Sequence, residues 1–184
     1  MTYVTHLLGG TAAGLALVQV SGALEPATIA YVAAGAAIGS LLPDIDHTKS
    51  KISNKNVGTS ITSHIVSIFF KHRGFLHTPV FLAILFVAVY ALAGMLSALD
   101  VLPEAIAHEL PVFYLTAAVT LGALSHLILD SLTPGGIMWL WPVSKKRISF
   151  APIRTNSIAE KIFAGAFAVL IGYMFLGQDM IPFM

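Results

Sequence analysis

The sequence predicts an all-α polytopic membrane bundle of about five transmembrane helices in a single domain spanning residues 1–184. Three observations predict it. The composition is 57% hydrophobic and 10% charged, where soluble domains carry about 25% charged residues. The mean hydropathy is +0.84. Five apolar runs approach the roughly 20 residues needed to cross a bilayer core of about 30 Å.

The runs are Val4 to Leu24, Ala27 to Leu42, Thr78 to Leu99, Pro111 to Leu132 and Ile162 to Leu176. The first has no basic leader, and no small-residue cleavage site precedes a polar mature domain, so it is expected to stay in place as a helix. The second contains AYVAAGAAIGSLL, whose small residues let helix backbones approach closely, and it belongs inside the bundle. The third and fourth open at or next to Pro79 and Pro111, where proline costs a helix little. Pro134, Gly135 and Gly136 stop the fourth.

Charge fixes the order of the spans. All 10 basic residues fall in two connections. Lys49, Lys51, Lys55, Lys71 and Arg73 lie between Pro43 and His77, and Lys145, Lys146, Arg147, Arg154 and Lys161 lie between Thr133 and Lys161. Glu25, Asp100, Glu104 and Glu109 sit in the other connections. Five spans put both basic loops on one side, which the positive-inside rule makes cytosolic. The multi-pass protein is thus expected in the inner membrane with its amino terminus inside. The net charge of +1 gives no general pull toward nucleic acid, and none is expected as a partner.

Six of the seven histidines fall at the cytosolic level of this topology. His6 opens the first span, His47 follows the second, His72 and His77 precede the third, and His126 lies near the inner end of the fourth; His108 is external. Asp44, Asp46 and Asp130 share that level. An ionisable residue in a span costs about 2.5–3.5 kcal/mol on insertion scales, and a divalent cation offsets such a cost for imidazole and carboxylate together.

The spacings carry different weight. His126 and Asp130 in HLILD are four apart and project from one helical face; a hydrogen-bonded pair capping a packed bundle explains them equally well. PDIDH places Asp44, Asp46 and His47 just past a helix end, where a turn can aim two carboxylates at one point, or can simply be solvated. His72 and His77 in HRGFLH are five apart and diverge on an unbroken helix, unless Gly74 breaks it. His64 and His108 have no carboxylate neighbour at useful spacing.

His6, GSLLPDIDH at 39–47, HRGFLHT at 72–78 and GALSHLILDSLTPGG at 122–136 together resemble the LexA-regulated, membrane-bound, predicted metal-dependent hydrolases of bacterial and archaeal inner membranes. The resemblance covers most of the chain. A more distant similarity, to zinc-dependent phospholipases C and single-strand-specific zinc nucleases, implies His6, Asp44, His72 or His77, His126 and Asp130 as ligands. Those enzymes use two HxxxD or HxxxE pairs and this chain has one, so one or two ions are expected.

With no cysteine, any ion is held by nitrogen and carboxylate. Zinc leads, with manganese or iron(II) as alternatives. Asp46 and His47 are the catalytic candidates, Asp46 as general base to an activated water. Groups at span ends meet phosphates and esters, so the expected partners are membrane lipids, and the expected substrate an anionic lipid or another phosphoester. Trp139 and Trp141 suit the same interfacial level. Two rival readings are a ceramidase-like zinc hydrolase of lipid amides or esters and a non-enzymatic metal-binding or transport protein. Transport favours ionisable residues at mid-span, which the apolar centres lack. Substrate and oligomeric state are left open.

Overall fold

The computed structural model describes residues 1–22, 25–44, 74–102 and 109–178. The described residues are all-helical, with five α-helices: α1 (Tyr3–Ser21), α2 (Pro26–Gly39), α3 (Pro79–Ala98), α4 (Glu109–Ser131) and α5 (Ile158–Gln178). Two 3-10 turns, Leu42–Asp44 and Phe75–His77, adjoin α2 and α3. All five segments are long and apolar enough to cross a membrane when the turn at Leu42–Asp44 is counted with α2.

The small residues of α2 decide the packing. A side chain on Gly39 would collide with the Val119 carbonyl, and one on Gly122 with the Ala36 carbonyl. Helices α2 and α4 therefore touch backbone to backbone, and α1 packs against both. Leu15, Val18, Ile29, Val32, Ala36 and Ala118 fill the space among these three helices, joined by Met174 of α5. The second span lies inside the bundle, as its composition predicts.

The outer helices differ. α3 packs on α4 and α5 packs on α1, and both turn bulky apolar side chains outward. Val87 is 66% and Val169 73% exposed. A surface of that kind suits lipid, not water.

The ends of the helices depart from the apolar runs in ways that matter to the site. α2 stops at Gly39 instead of reaching Leu42, and the chain tightens through hydrogen bonds from Leu41 N–H to Ile38 O and from Asp44 N–H to Leu41 O, at 3.0 and 3.2 Å. Proline at 43 cannot continue the helix, so Asp44 turns back toward the bundle. α3 starts on Thr78, whose hydroxyl accepts from Phe81 N–H at 3.2 Å in the manner of an N-cap. α5 begins at Ile158, four residues before the expected Ile162. This places Glu160 within its first turn, buried.

The chain runs in sequence up and down the bundle. The start of α1, the end of α2, the start of α3, the end of α4 and the start of α5 therefore gather at one end. Contacts between distant residues hold that end together: Glu160 accepts from Thr2 N–H, Asn156 N–H and Thr5 Oγ, the last at 2.9 Å.

Candidate metal centre

Five side chains converge at that end: His6 from α1, Asp44 from the turn after α2, His77 from the turn before α3, and His126 and Asp130 from α4. Four segments thus contribute to one cluster. The side chains of His6, His77, His126 and Asp130 are 0–4% exposed, while Asp44 is 31% exposed and marks the open side.

The geometry centres on His126. Its Nδ1–H donates to the Ser40 carbonyl at 2.7 Å, which fixes the tautomer and turns an Nε2 lone pair into the cluster. His126 Nε2 lies 3.3 Å from His77 Nε2. Each of these nitrogens faces both carboxylates: His77 Nε2 is 3.3 Å from Asp44 Oδ1 and 3.8 Å from Asp130 Oδ2, and His126 Nε2 is 3.8 and 3.9 Å from the same two oxygens. A tetrahedral ion with bonds of about 2.0–2.1 Å separates its ligand atoms by roughly 3.3–3.4 Å, close to the shorter of these spacings.

Asp130 divides its two oxygens. Oδ2 faces His77 and His126, while Oδ1 lies 3.3 Å from His6 Nε2 and 2.8 Å from the Met1 amine. The His6 ring stacks on His126 with centroids 3.7 Å apart. The donor atoms thereby form two triads, His6–His126–Asp130 and Asp44–His77–His126, each compact enough to hold an ion and both using His126.

The residues fit a cation. His6 is buried, and its Nδ1 has no hydrogen-bond partner among the described residues, while its Nε2 meets Asp130 Oδ1. A buried polar group left in that state costs about 1–3 kcal/mol. Three imidazoles and two carboxylates packed into a nearly dry site are a donor set for zinc, manganese or iron(II).

His6, Asp44, His77, His126 and Asp130 come together. Asp46, His47 and His72 lie outside the described residues, as do His64 and His108. The choice between His72 and His77 was open on spacing; of the two, only His77 is among the described residues, and it stands in the cluster. The 3-10 turn that begins after Gly74, held by His77 N–H to Gly74 O at 3.1 Å, aims it there.

Two participants escaped sequence reasoning. Ser40 acts through its backbone carbonyl, which leaves no signal in residue type. Glu160 lies just outside the expected fifth span, and its signal is a lone acid next to an apolar run.

Comparison with known proteins adds the family. The family model described as YdjM inner membrane protein matches residues 1–181. Protein YvsG of Bacillus subtilis (strain 168) is 31% identical over 175 residues, which cover 95% of this chain and 94% of that protein. The inner membrane protein YdjM of Escherichia coli (strain K12) is 37% identical over 112 residues, 61% of this chain and 50% of its own length, and its Shigella flexneri namesake matches to the same extent. Those matches span half of the two YdjM proteins. No solved structure matches significantly. With five membrane-length helices among its described residues, the chain belongs to the YdjM inner membrane protein family and is a multi-pass membrane protein.

Proposed function

We propose that this chain is a membrane-embedded metal-dependent hydrolase that cleaves a phosphoester of a lipid or other amphiphile. The supporting observation is the convergence of His6, Asp44, His77, His126 and Asp130 on one largely buried cluster, with His6 Nδ1 lacking a hydrogen-bond partner among the described residues.

His77, His126, Asp44 and Asp130 are the ligands, and His6 with Asp130 offers a second position. Zinc is the leading ion, with manganese or iron(II) as alternatives. An ion held there would supply a water whose pKa falls from about 15.7 toward about 7 and would polarise the scissile oxygen. The chain's own contribution is positional. Ser40 and the α2–α4 contact hold His126, and Asp130 spans the two ligand groups. Asp44 borders the open side from which a substrate enters. Asp46, two residues on, is the proposed proton acceptor.

The two connections that hold all 10 basic residues support a cytosolic orientation of this end. Helix ends lie at the depth of lipid phosphates and esters, which supports a phosphoester of the inner leaflet as substrate.

The test is turnover by the purified protein with zinc or manganese against phospholipids, lipid-linked phosphates and ceramide-like amides. The expected result is phosphoester cleavage that a chelator abolishes. Asp46→Asn should then keep its metal and lose about 10²- to 10⁴-fold in rate, the usual contribution of a general base. Cleavage of the amides alone would replace the phosphoester reading with the ceramidase-like one.

A further inference from the structure

The connection between α4 and α5 carries an ordered excursion that the cluster does not use. Ile137 and Ile148 close it with a pair of backbone hydrogen bonds at 3.1 and 2.8 Å, and Ile137 is fully buried at its base. Within it, Trp141 N–H donates to Met138 O at 3.3 Å and Ser144 N–H to Leu140 O at 2.9 Å, so the chain winds through two turns.

These turns hold apolar side chains outward. Leu140 is 58% exposed and Val143 94%, and the exposed Lys145 and Lys146 follow directly. In water, an ordered turn that presents Leu and Val to solvent gains nothing from them. At a bilayer surface the same pattern has a partner on each side: acyl chains for Leu140 and Val143, phosphates for the lysines.

The position of the excursion fits that surface. Trp139 Nε1–H donates to Ser131 Oγ at 2.8 Å, one residue beyond Asp130. The Trp141 ring packs edge-on against Phe75 at 5.4 Å, two residues before His77. The loop is thus fastened to the ligand-bearing end of the membrane helices, at the level where tryptophans settle.

We propose that the Ile137–Ile148 loop is a lipid-binding element that seats an anionic phospholipid beside the metal centre. Leu140 and Val143 enter the acyl boundary, and Lys145 and Lys146 hold the headgroup. This assignment stands apart from catalysis: it needs neither a bound metal nor hydrolysis.

The chain offers its own reporter, because its 2 tryptophans are Trp139 and Trp141. The experiment places the protein in phosphatidylcholine nanodiscs containing a fixed fraction of brominated phosphatidylglycerol or brominated phosphatidylcholine and reads tryptophan quenching. Brominated phosphatidylglycerol should quench more strongly, with a relative association constant well above one. K145Q/K146Q should lower that preference by about fivefold for each lysine removed while leaving helix content unchanged. Val143→Asp should reduce quenching by both lipids. Equal quenching by the two lipids, or a preference that survives K145Q/K146Q, would overturn the assignment. Tryptophans that neither lipid quenches would make the loop a water-facing surface for a soluble partner. Because the assay runs without metal and without turnover, its failure leaves the hydrolase proposal standing, and the converse holds as well.

Discussion

Three inner helices and two outer ones are built on different rules. In α1, α2 and α4, between 44% and 50% of the membrane-length window is buried, against 11% in α3 and α5. The inner trio packs through glycine, alanine and serine, so its backbones are close and its geometry tolerates no added atoms. The outer pair presents large apolar side chains to its surroundings and is held by fewer neighbours. The site follows this division. His6, Asp44, His126 and Asp130 belong to the inner trio, whereas His77 stands in the turn that opens an outer helix. The cluster therefore has a rigid part, fixed by close helix contact, and one ligand whose helix has more freedom to shift.

The largest effect that separates the two regions comes from one added side chain. Gly122→Val drives atoms into the Ala36 carbonyl, and overpacking of a close contact costs about 1–3 kcal/mol or more. Gly165 on α5 has no atom within 4 Å of an added Cβ, so Gly165→Val should change stability by no more than about 0.5 kcal/mol. Thermal unfolding in detergent checks both. Comparable losses at the two positions would erase the distinction between inner and outer helices.

The next effect is on metal retention. His126→Ala removes the one histidine common to both triads and should lower affinity by more than the 10- to 100-fold typical of a ligand's supporting groups. His77→Ala, on the outer helix, should cost less, because three inner ligands and His6 remain. Competition with a chromogenic chelator ranks the two; a larger loss in His77→Ala would invert the assignment of the rigid half.

A smaller effect is expected at the seam between α1 and α5. Glu160→Gln keeps the size but loses the charge that gathers Thr2, Thr5 and Asn156. Hydrogen bonds to a charged group are worth about 1.5–3 kcal/mol. The variant should unfold earlier, and metal affinity should fall by at most about tenfold because His6 loses support. An unchanged unfolding midpoint would show that the seam is not what holds the start of α1.

The last of the series concerns sidedness. Cysteines at Lys51 and Lys146 should be labelled only from the cytosol, and one at Glu104 only from outside. Opposite sidedness for the two lysine positions would break the five-span order.

The fold was legible because lipid imposes simple rules. Apolar runs of membrane length, proline at their ends and basic residues confined to alternate loops leave little freedom, and all five helices appear where those runs lie. Boundaries were less legible. α5 begins at Ile158, since Glu160 is matched by three donors and enters the helix despite its charge; a sequence shows the charge and not the donors. α2 ends early because Pro43 and the tight turn before it close the helix, a choice that apolar composition does not record.

The site was legible in part. His126 and Asp130 carry helical spacing, and Asp44 stands at a helix end beside a proline. His6 looked ordinary alone and gained meaning from sharing a membrane face with the other histidines and carboxylates, and then from the resemblance. His77 could not be told from His72 on spacing, because what aims His77 into the cluster is the turn after Gly74; His72 lies outside the described residues. The Ser40 carbonyl had no chance of being read, since every residue has one.

The central claim is that the cluster holds metal, and elemental analysis of the purified protein tests it most directly. The account predicts one or two transition-metal ions per chain. A His126→Ala, Asp130→Ala double variant should retain its helix content by circular dichroism and carry less than about a tenth of that metal. A wild-type protein without bound metal after purification and zinc loading, or a double variant that keeps its full complement, would contradict the account.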